Sequence, residues 1–200
     1  MIKLILVRHA VTKDNEESRL SGHIDSVLSK EGEKQVRKLT SYLEKQNIDK
    51  IFTTTSKRTK DTVELLANIK NIDIIEKHTL KEISFGDFEG ITFEEIQNNH
   101  SDEFKKMINQ GYKYKYPNGE SLIESYYRVS KEIENIISEN DNKTVLICSH
   151  GGTIRNIISY LISNSYEYHW NFRIDNASVT IIEVENRFAV INMMNNKNFD

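Results

Sequence analysis

Two histidines stand at the ends of short apolar runs, each beside a residue suited to binding an anion. Arg8 and His9 follow the first apolar run of the chain, and His150 and Gly151 follow its strongest one, residues 145–148. A neutral histidine can act as a covalent nucleophile, and arginine presents a rigid fork that matches phosphate oxygens. If the runs are neighbouring parallel strands, both histidines share one crevice at the sheet edge where ligands bind. Either histidine alone would be explained equally well as a hydrogen-bonded residue at a strand end. It is the presence of two histidines at equivalent strand ends that indicates a functional site.

Two further segments add charge of both signs. Arg58 lies in the hydroxyl-rich stretch 53–59, where the chain passes from a predicted strand into a predicted helix. The alternative is that Arg58 is a solvent-exposed cation at the start of the helix. This is disfavoured because a cation is unfavourable at the positive N-terminus of a helix unless an anion lies nearby. Residues 80–90, called the acid loop below, hold three carboxylates among two phenylalanines and two glycines. A carboxyl beside aromatic rings suits a general acid, although acidic loops are also common on protein surfaces.

In this order, these residues resemble the motif set of the histidine phosphatase superfamily, also called the phosphoglycerate mutase-like family. The matching motifs are Arg8-His9-Ala10 with Thr12, then Arg58, then Glu82, then His150-Gly151-Gly152. The resemblance runs from the first predicted strand through the helix after Gly152, so it covers most of the chain. Residues 85–90 and 118–121 are similar to those of the family's small phosphatases, which include α-ribazole phosphatases.

The resemblance implies a role for each residue of this set. His9 matches the nucleophile, which attacks phosphorus and holds the phosphoryl group as phosphohistidine. Arg8, Arg58 and His150 match the residues that surround the phosphate oxygens. Glu82 matches the acid that protonates the leaving alcohol. Together they imply a phosphotransfer enzyme that needs no metal ion.

The resemblance also implies contacts with the substrate. The residues that match substrate-binding positions are Asn15, Ser21, Gly22 and Gly151. Three positions depart from the commoner family pattern, because Ala10 replaces a glycine, Val11 a frequent glutamate and Asp14 a frequent tryptophan. These departures bear on substrate recognition more than on the chemistry.

Several functions are compatible with this set of residues. The leading hypothesis is a phosphomonoesterase that acts on a small phosphorylated metabolite, and the alternative is a phosphoglycerate mutase. No arginine occurs between Gly86 and Glu120, where the family's mutases carry an arginine pair, which favours hydrolysis. A non-catalytic phosphate-binding module is disfavoured because all five catalytic candidates are present. A cysteine phosphatase is disfavoured because six residues separate Cys148 from Arg155, one more than in the phosphate loop of those enzymes.

Composition narrows the remaining possibilities. The chain has 200 residues, 38% hydrophobic and 28% charged, which predicts a single domain over residues 1–200. Its net charge of −3 disfavours a nucleic-acid partner. The first apolar run is too short for a signal peptide or a membrane span. The single cysteine, Cys148, allows no intrachain disulfide. We therefore expect a cytoplasmic protein. No metal-ligand spacing and no Walker A motif occur, so we expect no metal and no cofactor. The expected partner is a small phosphate ester, and the oligomeric state stays open.

The elements that must position these residues alternate between strands and helices. Strands are predicted over residues 4–7, 50–54, 72–76, 145–148, 179–184 and 188–191, the last two as a hairpin. Helices are predicted from Ser29 to about residue 46, from Ser56 to about 68, from 120 onward and from 153 onward, while 80–116 is irregular and partly helical. This alternation predicts an α/β fold, a three-layer α/β/α sandwich around a mostly parallel, mixed sheet of the phosphoglycerate mutase-like type.

Overall fold

The computed structural model describes residues 1–199 and centres on a six-stranded sheet. The strands are β1 (Ile2–Arg8), β2 (Lys50–Thr53), β3 (Ile74–Glu76), β4 (Thr144–Ser149), β5 (Val179–Glu185) and β6 (Phe188–Asn196), in the order β3-β2-β4-β1-β5-β6. β1, β2, β3 and β4 are parallel, whereas β5 runs antiparallel to β1 and β6 antiparallel to β5. The mixed sheet is therefore confirmed, with β1 and β4 as direct neighbours.

Helices cover both faces of this sheet. They are α1 (Lys13–Glu16), α2 (Lys30–Leu43), α3 (Lys57–Lys70), α4 (Phe93–Asn99), α5 (Ser101–Gln110), α6 (Leu122–Glu139) and α7 (Gly151–Ser163). Alternate side chains of β1 point to opposite layers, as the pleat of a strand requires. Leu4 and Leu6 pack with α6 and α7, while Ile5 and Val7 pack with α2 and α3. These two apolar cores confirm the three-layer arrangement.

The segment between β3 and α6 forms a separate small body beside the sheet. Its apolar side chains, among them Phe88, Ile96, Tyr114 and Tyr116, pack in a third cluster with Leu20. Within residues 1–199, no helix is both long enough and apolar enough to cross a membrane.

Local chemistry explains where the helices begin. The Ser29 hydroxyl accepts a hydrogen bond from the Gly32 N–H at 3.2 Å, which confirms the predicted cap of α2. Ser121 caps α6 in a reciprocal pair with Glu124, so this helix begins slightly later than predicted. Ser56 precedes α3 as expected, but its hydroxyl makes no capping hydrogen bond.

Several predicted boundaries differ from those of the structure, and two of the differences have a clear local cause. Helix α7 begins at Gly151 instead of residue 153, with His150 as its N-cap residue, so the helix N-terminus lies directly beside that histidine. Strand β3 begins at Ile74 instead of residue 72. The cause is the end of α3, where Asn71 adopts a left-handed conformation and the Ile72 N–H donates to the Ala67 carbonyl at 3.0 Å.

Candidate active site

His9 and His150 lie side by side at the carboxyl ends of β1 and β4. The parallel register pairs Arg8 with Ser149, so the next residue of each strand is one of the two histidines. Their ring centroids are 5.2 Å apart, and the rings meet edge to face. Both side chains are buried, with 4% and 1% of their surface exposed. The crevice expected from the sequence is therefore formed.

The environment of His9 keeps its ring neutral. His9 Nδ1 lies 2.8 Å from the carbonyl oxygen of Ala10, and because a carbonyl only accepts, Nδ1 carries the proton. The second ring nitrogen, Nε2, then holds a free electron pair. Burial, followed by the charges of Arg58 and Arg8, holds the pKa of His9 well below its usual range. A buried, neutral imidazole with a free electron pair can act as a nucleophile.

Arg58 is a buried guanidinium fixed by four hydrogen bonds. Its Nη2 donates to the backbone carbonyls of Ser21 at 2.9 Å and Gly22 at 2.8 Å, and Nη1 donates to that of Ile24 at 2.9 Å. Its Nε donates to His150 Nδ1 at 3.2 Å. Only 1% of the side chain is exposed, and burial lowers its pKa. Ser21 and Gly22 therefore hold Arg58 in place through their backbones.

His150 is oriented from both sides. Arg58 donates to one ring nitrogen, so the other, Nε2, carries the proton and lies 3.2 Å from the Thr54 hydroxyl. Burial, and then the charge of Arg58, lower the pKa of His150 well below its usual range. The result is a neutral ring that lies beside His9 and directs its N–H group at the Thr54 hydroxyl.

Arg8 has one nitrogen in use and another without a partner. Its Nη1 donates to the Ile174 carbonyl at 2.7 Å. Its Nε is buried and finds no hydrogen-bond acceptor within residues 1–199. A Cβ atom on Gly151 would lie 3.3 Å from Arg8 Cζ, so a small residue at that position gives the guanidinium room. A buried donor without an acceptor, next to two histidines, fits a site that receives an anion.

Glu82 is held at the N-terminus of α7. Its Oε2 accepts from the Gly152 N–H at 2.9 Å, and its Oε1 accepts from the Ile83 N–H at 3.1 Å. Below it, Arg128 donates to the carbonyls of Thr79 at 2.7 Å and Lys81 at 3.1 Å, which fixes the backbone of the acid loop. The carboxylate is thus held beside the first turn of the helix that follows His150.

The other two acids of the loop have structural partners. Glu89 accepts hydrogen bonds from the N–H groups of Gly22, His23 and Phe85. Asp87 accepts from the Asn118 amide on the surface. Of these three carboxylates, only Glu82 lines the cleft that also includes Arg8 and Gly151, the chain neighbours of the two histidines.

Asn15 and Asn176 form a link that the sequence did not indicate. Asn15 Oδ1 accepts from the Thr12 N–H at 3.2 Å and from the Asn176 amide at 3.0 Å. The same Asn176 amide also donates to the His9 carbonyl at 3.0 Å. Asn15 therefore lies near His9, as expected, whereas Asn176 and Arg128 carry no local motif that would have identified them.

A cleft of about 590 Å³ borders this site, and its lining includes Arg8 and Gly151, the chain neighbours of His9 and His150, but neither histidine itself. Its inner end is formed by Arg8, Glu82 and Gly151, and its walls come from the acid loop, α4, α5, residues 111–116 and the segment after α7. Within the described residues 1–199, no group of three histidine, cysteine, aspartate or glutamate side chains is arranged to hold a metal ion.

The geometry counts against cysteine chemistry. The Cys148 side chain is fully buried and packs with the apolar residues under α2 and α3. Burial raises the pKa of its thiol, which opposes formation of the reactive thiolate. Arg155 Nε instead donates to the Phe172 carbonyl at 2.9 Å, and its guanidinium lies over the Trp170 ring at 5.2 Å.

Comparisons with known proteins agree with this geometry. The sequence profile of the histidine phosphatase superfamily (branch 1) matches residues 4–197. Phosphoserine phosphatase 1 of Hydrogenobacter thermophilus is 33% identical over 195 residues, which cover 98% of this chain and 92% of that protein. The crystal structure of the α-ribazole phosphatase from Shigella flexneri superposes with a TM-score of 0.91 at 25% identity, over 98% of this chain and 96% of that one. That of phosphoserine phosphatase from Entamoeba histolytica, in complex with 3-phosphoglyceric acid, has a TM-score of 0.86 at 26% identity, over 100% and 99% of the two chains. The chain therefore belongs to the histidine phosphatase superfamily, branch 1, which confirms the family, the fold class and the phosphatase activity predicted from its motifs.

Proposed function

We propose that the enzyme hydrolyses a small phosphate monoester through a covalent phosphohistidine at His9. In the first step Nε2 of His9 attacks phosphorus, the bond from phosphorus to the ester oxygen breaks, and Glu82 gives its proton to the leaving alcohol. In the second step water attacks phosphorus, its proton passes to Glu82, and the bond to His9 breaks to release inorganic phosphate. Support comes from the neutral tautomer of His9, fixed by the Ala10 carbonyl.

We assign the binding of the phosphate oxygens to Arg8, Arg58 and His150, called the phosphate cradle below. Phosphoryl transfer depends mainly on positioning and on neutralising charge on the equatorial oxygens. The single observation that carries this proposal is the buried Nε of Arg8, which has no acceptor within residues 1–199. A phosphate oxygen next to His9 would be that acceptor.

The remaining predicted site residues take supporting roles in this proposal. Gly151 begins α7, whose first N–H groups suit an anion. Asn15 adds a polar contact at the edge of the site. Ser21 and Gly22 act through Arg58, since their carbonyls accept its hydrogen bonds.

Hydrolysis is favoured over mutase activity by the lysines that follow the acid loop. Lys105 pairs with Asp102, Lys106 with Glu103, and Lys115 with Glu124. None of these lysines lines the cleft. A mutase must hold a highly charged diphosphate while it reorients, so a cleft without these cations leaves water freer to reach the phosphohistidine.

The experiment supplies 3-phosphoglycerate with a trace of 2,3-bisphosphoglycerate and follows both possible products. We expect release of inorganic phosphate to exceed the formation of 2-phosphoglycerate. Formation of 2-phosphoglycerate well above phosphate release would establish a mutase and overturn this proposal.

We also propose that the enzyme works in the cytoplasm on free metabolites and has no nucleic-acid partner. A single buried cysteine fits a reducing compartment. A net charge of −3 gives no general attraction to polyphosphate chains.

A further inference from the structure

The walls of the cleft are mostly apolar and aromatic. Beyond Arg8 and Glu82, large side chains dominate the lining, including Phe85, Phe93, Met107, Ile108 and Trp170. Three of these stand exposed around the opening, Phe93 at 48%, Ile108 at 67% and Trp170 at 64% of their surface. Grouped exposed apolar side chains around a concave site mark a surface that binds an apolar partner.

Two tyrosine hydroxyls in these walls are already bound to the protein. The hydroxyl of Tyr112 donates to the Glu167 carbonyl at 3.0 Å, and that of Tyr114 donates to the Glu103 carboxylate at 3.0 Å. The two tyrosines therefore offer the cleft their rings more than their hydroxyls.

The polar floor of the cleft is satisfied in the same way. The amide of Asn156 donates to the Ser125 hydroxyl at 3.3 Å, and its Oδ1 lies 2.7 Å from His169 Nδ1. Burial lowers the pKa of His169 to about 3, so that ring is neutral. Ser125, Asn156 and His169 thus line the cleft without adding a charge or a free amide.

Charge in the cleft disfavours a substrate with an ammonium group. Among residues 1–199, Glu82 is the only acidic side chain that lines the cleft, and the proposed mechanism uses it at the ester oxygen. Arg155 adds a positive charge to the wall, stacked on Trp170. An ammonium group in this cleft would find a cation and no free carboxylate.

We propose that the substrate is the phosphate ester of an apolar, aromatic-bearing alcohol, and that phosphorylated amino acids are poor substrates. This rests on the proposed function and adds the substrate class. The aromatic part would pack between the Tyr112 ring, Phe93, Ile108 and Trp170 while the phosphate lies in the cradle.

The test compares 3-phenylpropyl phosphate with propyl phosphate, which share a primary alkyl leaving group and differ in the ring. We expect kcat/KM for the phenyl compound to be higher by roughly tenfold or more, the gain typical of burying an aromatic ring. Phosphoserine is assayed beside them and should be the poorest of the three.

A pair of double variants shows whether the gain arises in the cleft. Phe93→Gln/Ile108→Gln should reduce the ratio of the two kcat/KM values roughly fivefold, because two apolar contacts are lost. The matched control Leu65→Gln/Ile69→Gln changes two exposed apolar residues of α3 outside the cleft and should leave the ratio unchanged.

The outcomes separate this inference from the proposed function. Equal rates on the two alkyl phosphates, or a ratio that the cleft variant does not alter, would overturn the apolar substrate class while phosphate release still supports hydrolysis. Phosphoserine hydrolysed faster than the phenyl compound would overturn it in favour of a charged leaving group next to Arg155. Failure to hydrolyse any of the three would overturn both proposals.

Discussion

Among the residues of the site, Glu82 has the most specific assignment. The acid loop contains three acidic residues, and from the sequence only the family resemblance selects Glu82 among them as the general acid. The structure separates them by their partners, since Glu89 anchors backbone N–H groups, Asp87 holds Asn118, and Glu82 lines the cleft. We therefore propose that Glu82, the carboxylate that lines the cleft, exchanges the proton with a bound ester.

Replacing Glu82 tests its proposed role as the proton donor. Glu82→Gln should lower kcat on alkyl phosphates by roughly 10²–10⁴-fold, because the leaving alkoxide then departs without a proton. Aryl phosphates should lose much less, since aryl oxides are better leaving groups. Asp87→Asn, in the same loop but outside the cleft, serves as the matched control and should leave both rates near those of the parent enzyme. An equal loss on both substrate types would move the acid role to another residue.

At the scale of elements, the start of α7 connects the histidines to the acid. His150 precedes the helix and Gly152 lies in its first turn, with its N–H bonded to Glu82. A Cβ atom on Gly152 would lie 2.5 Å from Glu82 Oε1, which is closer than real contacts allow. The carboxylate occupies its place because this residue has no side chain.

Gly152→Ala should therefore displace Glu82 without removing it. We expect kcat on alkyl phosphates to fall by roughly 10²-fold, the cost of misplacing a catalytic group by about 1 Å. Aryl phosphates act as an internal control and should be partly spared, as with Glu82→Gln. The thermal midpoint should change little, because alanine suits a helix. Unchanged alkyl-phosphate kinetics would show that the position of Glu82 is not critical.

How far the sequence predicts these elements depends on whether the signal is local. The continuous apolar runs of β1 and β4, the Ser29 cap of α2 and the helical spacing of apolar residues in α6 are local signals, and they indicate the sheet and its flanking helices correctly. The start of α7 was missed because paired glycines usually interrupt a helix, whereas here the helix forms directly against Glu82. The start of β3 was missed because Ile72 closes the end of α3.

The residues of the site also divide into those that a local sequence pattern reveals and those that only the packed fold reveals. Arg8, His9, Arg58 and His150 stand at strand and helix ends, where topology alone brings them together. Arg128 and Asn176 support the site through hydrogen bonds to residues that are distant in sequence. Arg128 contacts residues 79 and 81, and Asn176 contacts residues 9 and 15. Such contacts depend on the packed fold, so no local pattern reveals them.

At the scale of the whole molecule, buried histidines link stability to pH. His9, His150 and His169 all have lowered pKa values, chiefly because of burial. In the unfolded chain each returns to about 6.5, so below that pH the unfolded state binds more protons than the folded state. Their contribution to stability is complete above the unfolded pKa and is lost as the pH falls below it.

The free energy of unfolding should therefore decrease from pH 7 to pH 5. Each fully shifted histidine contributes a slope on the order of 1 kcal/mol per pH unit over the lower part of this range. Urea unfolding in phosphate-free buffer measures the free energy of unfolding at each pH. The variant His169→Gln should show a smaller pH dependence, reduced by the contribution of one histidine. Stability that stays constant or rises over this interval would contradict the neutral, buried state of these rings.

Metal independence is a further property of the whole enzyme. The proposed mechanism neutralises the phosphate with Arg8, Arg58 and His150, so it assigns no step to a cation. Activity should survive prolonged treatment with EDTA, measured as phosphate release before and after dialysis. Complete loss of activity that magnesium or zinc restores would count against the proposed mechanism.

The assignment of residues 1–200 to a single domain stays a prediction, although strands from both ends of the chain share one sheet.

The proposed mechanism requires that His9 carries the phosphoryl group during turnover. Rapid-quench mass spectrometry at alkaline pH, where phosphohistidine survives, tests it most directly on a slowly hydrolysed substrate. We expect one phosphoryl group on the peptide that contains His9, and we expect His9→Ala to abolish both the label and turnover while the fold is retained. A label on the peptide that contains Cys148, or an enzyme that turns over with no label on His9, would contradict the claim.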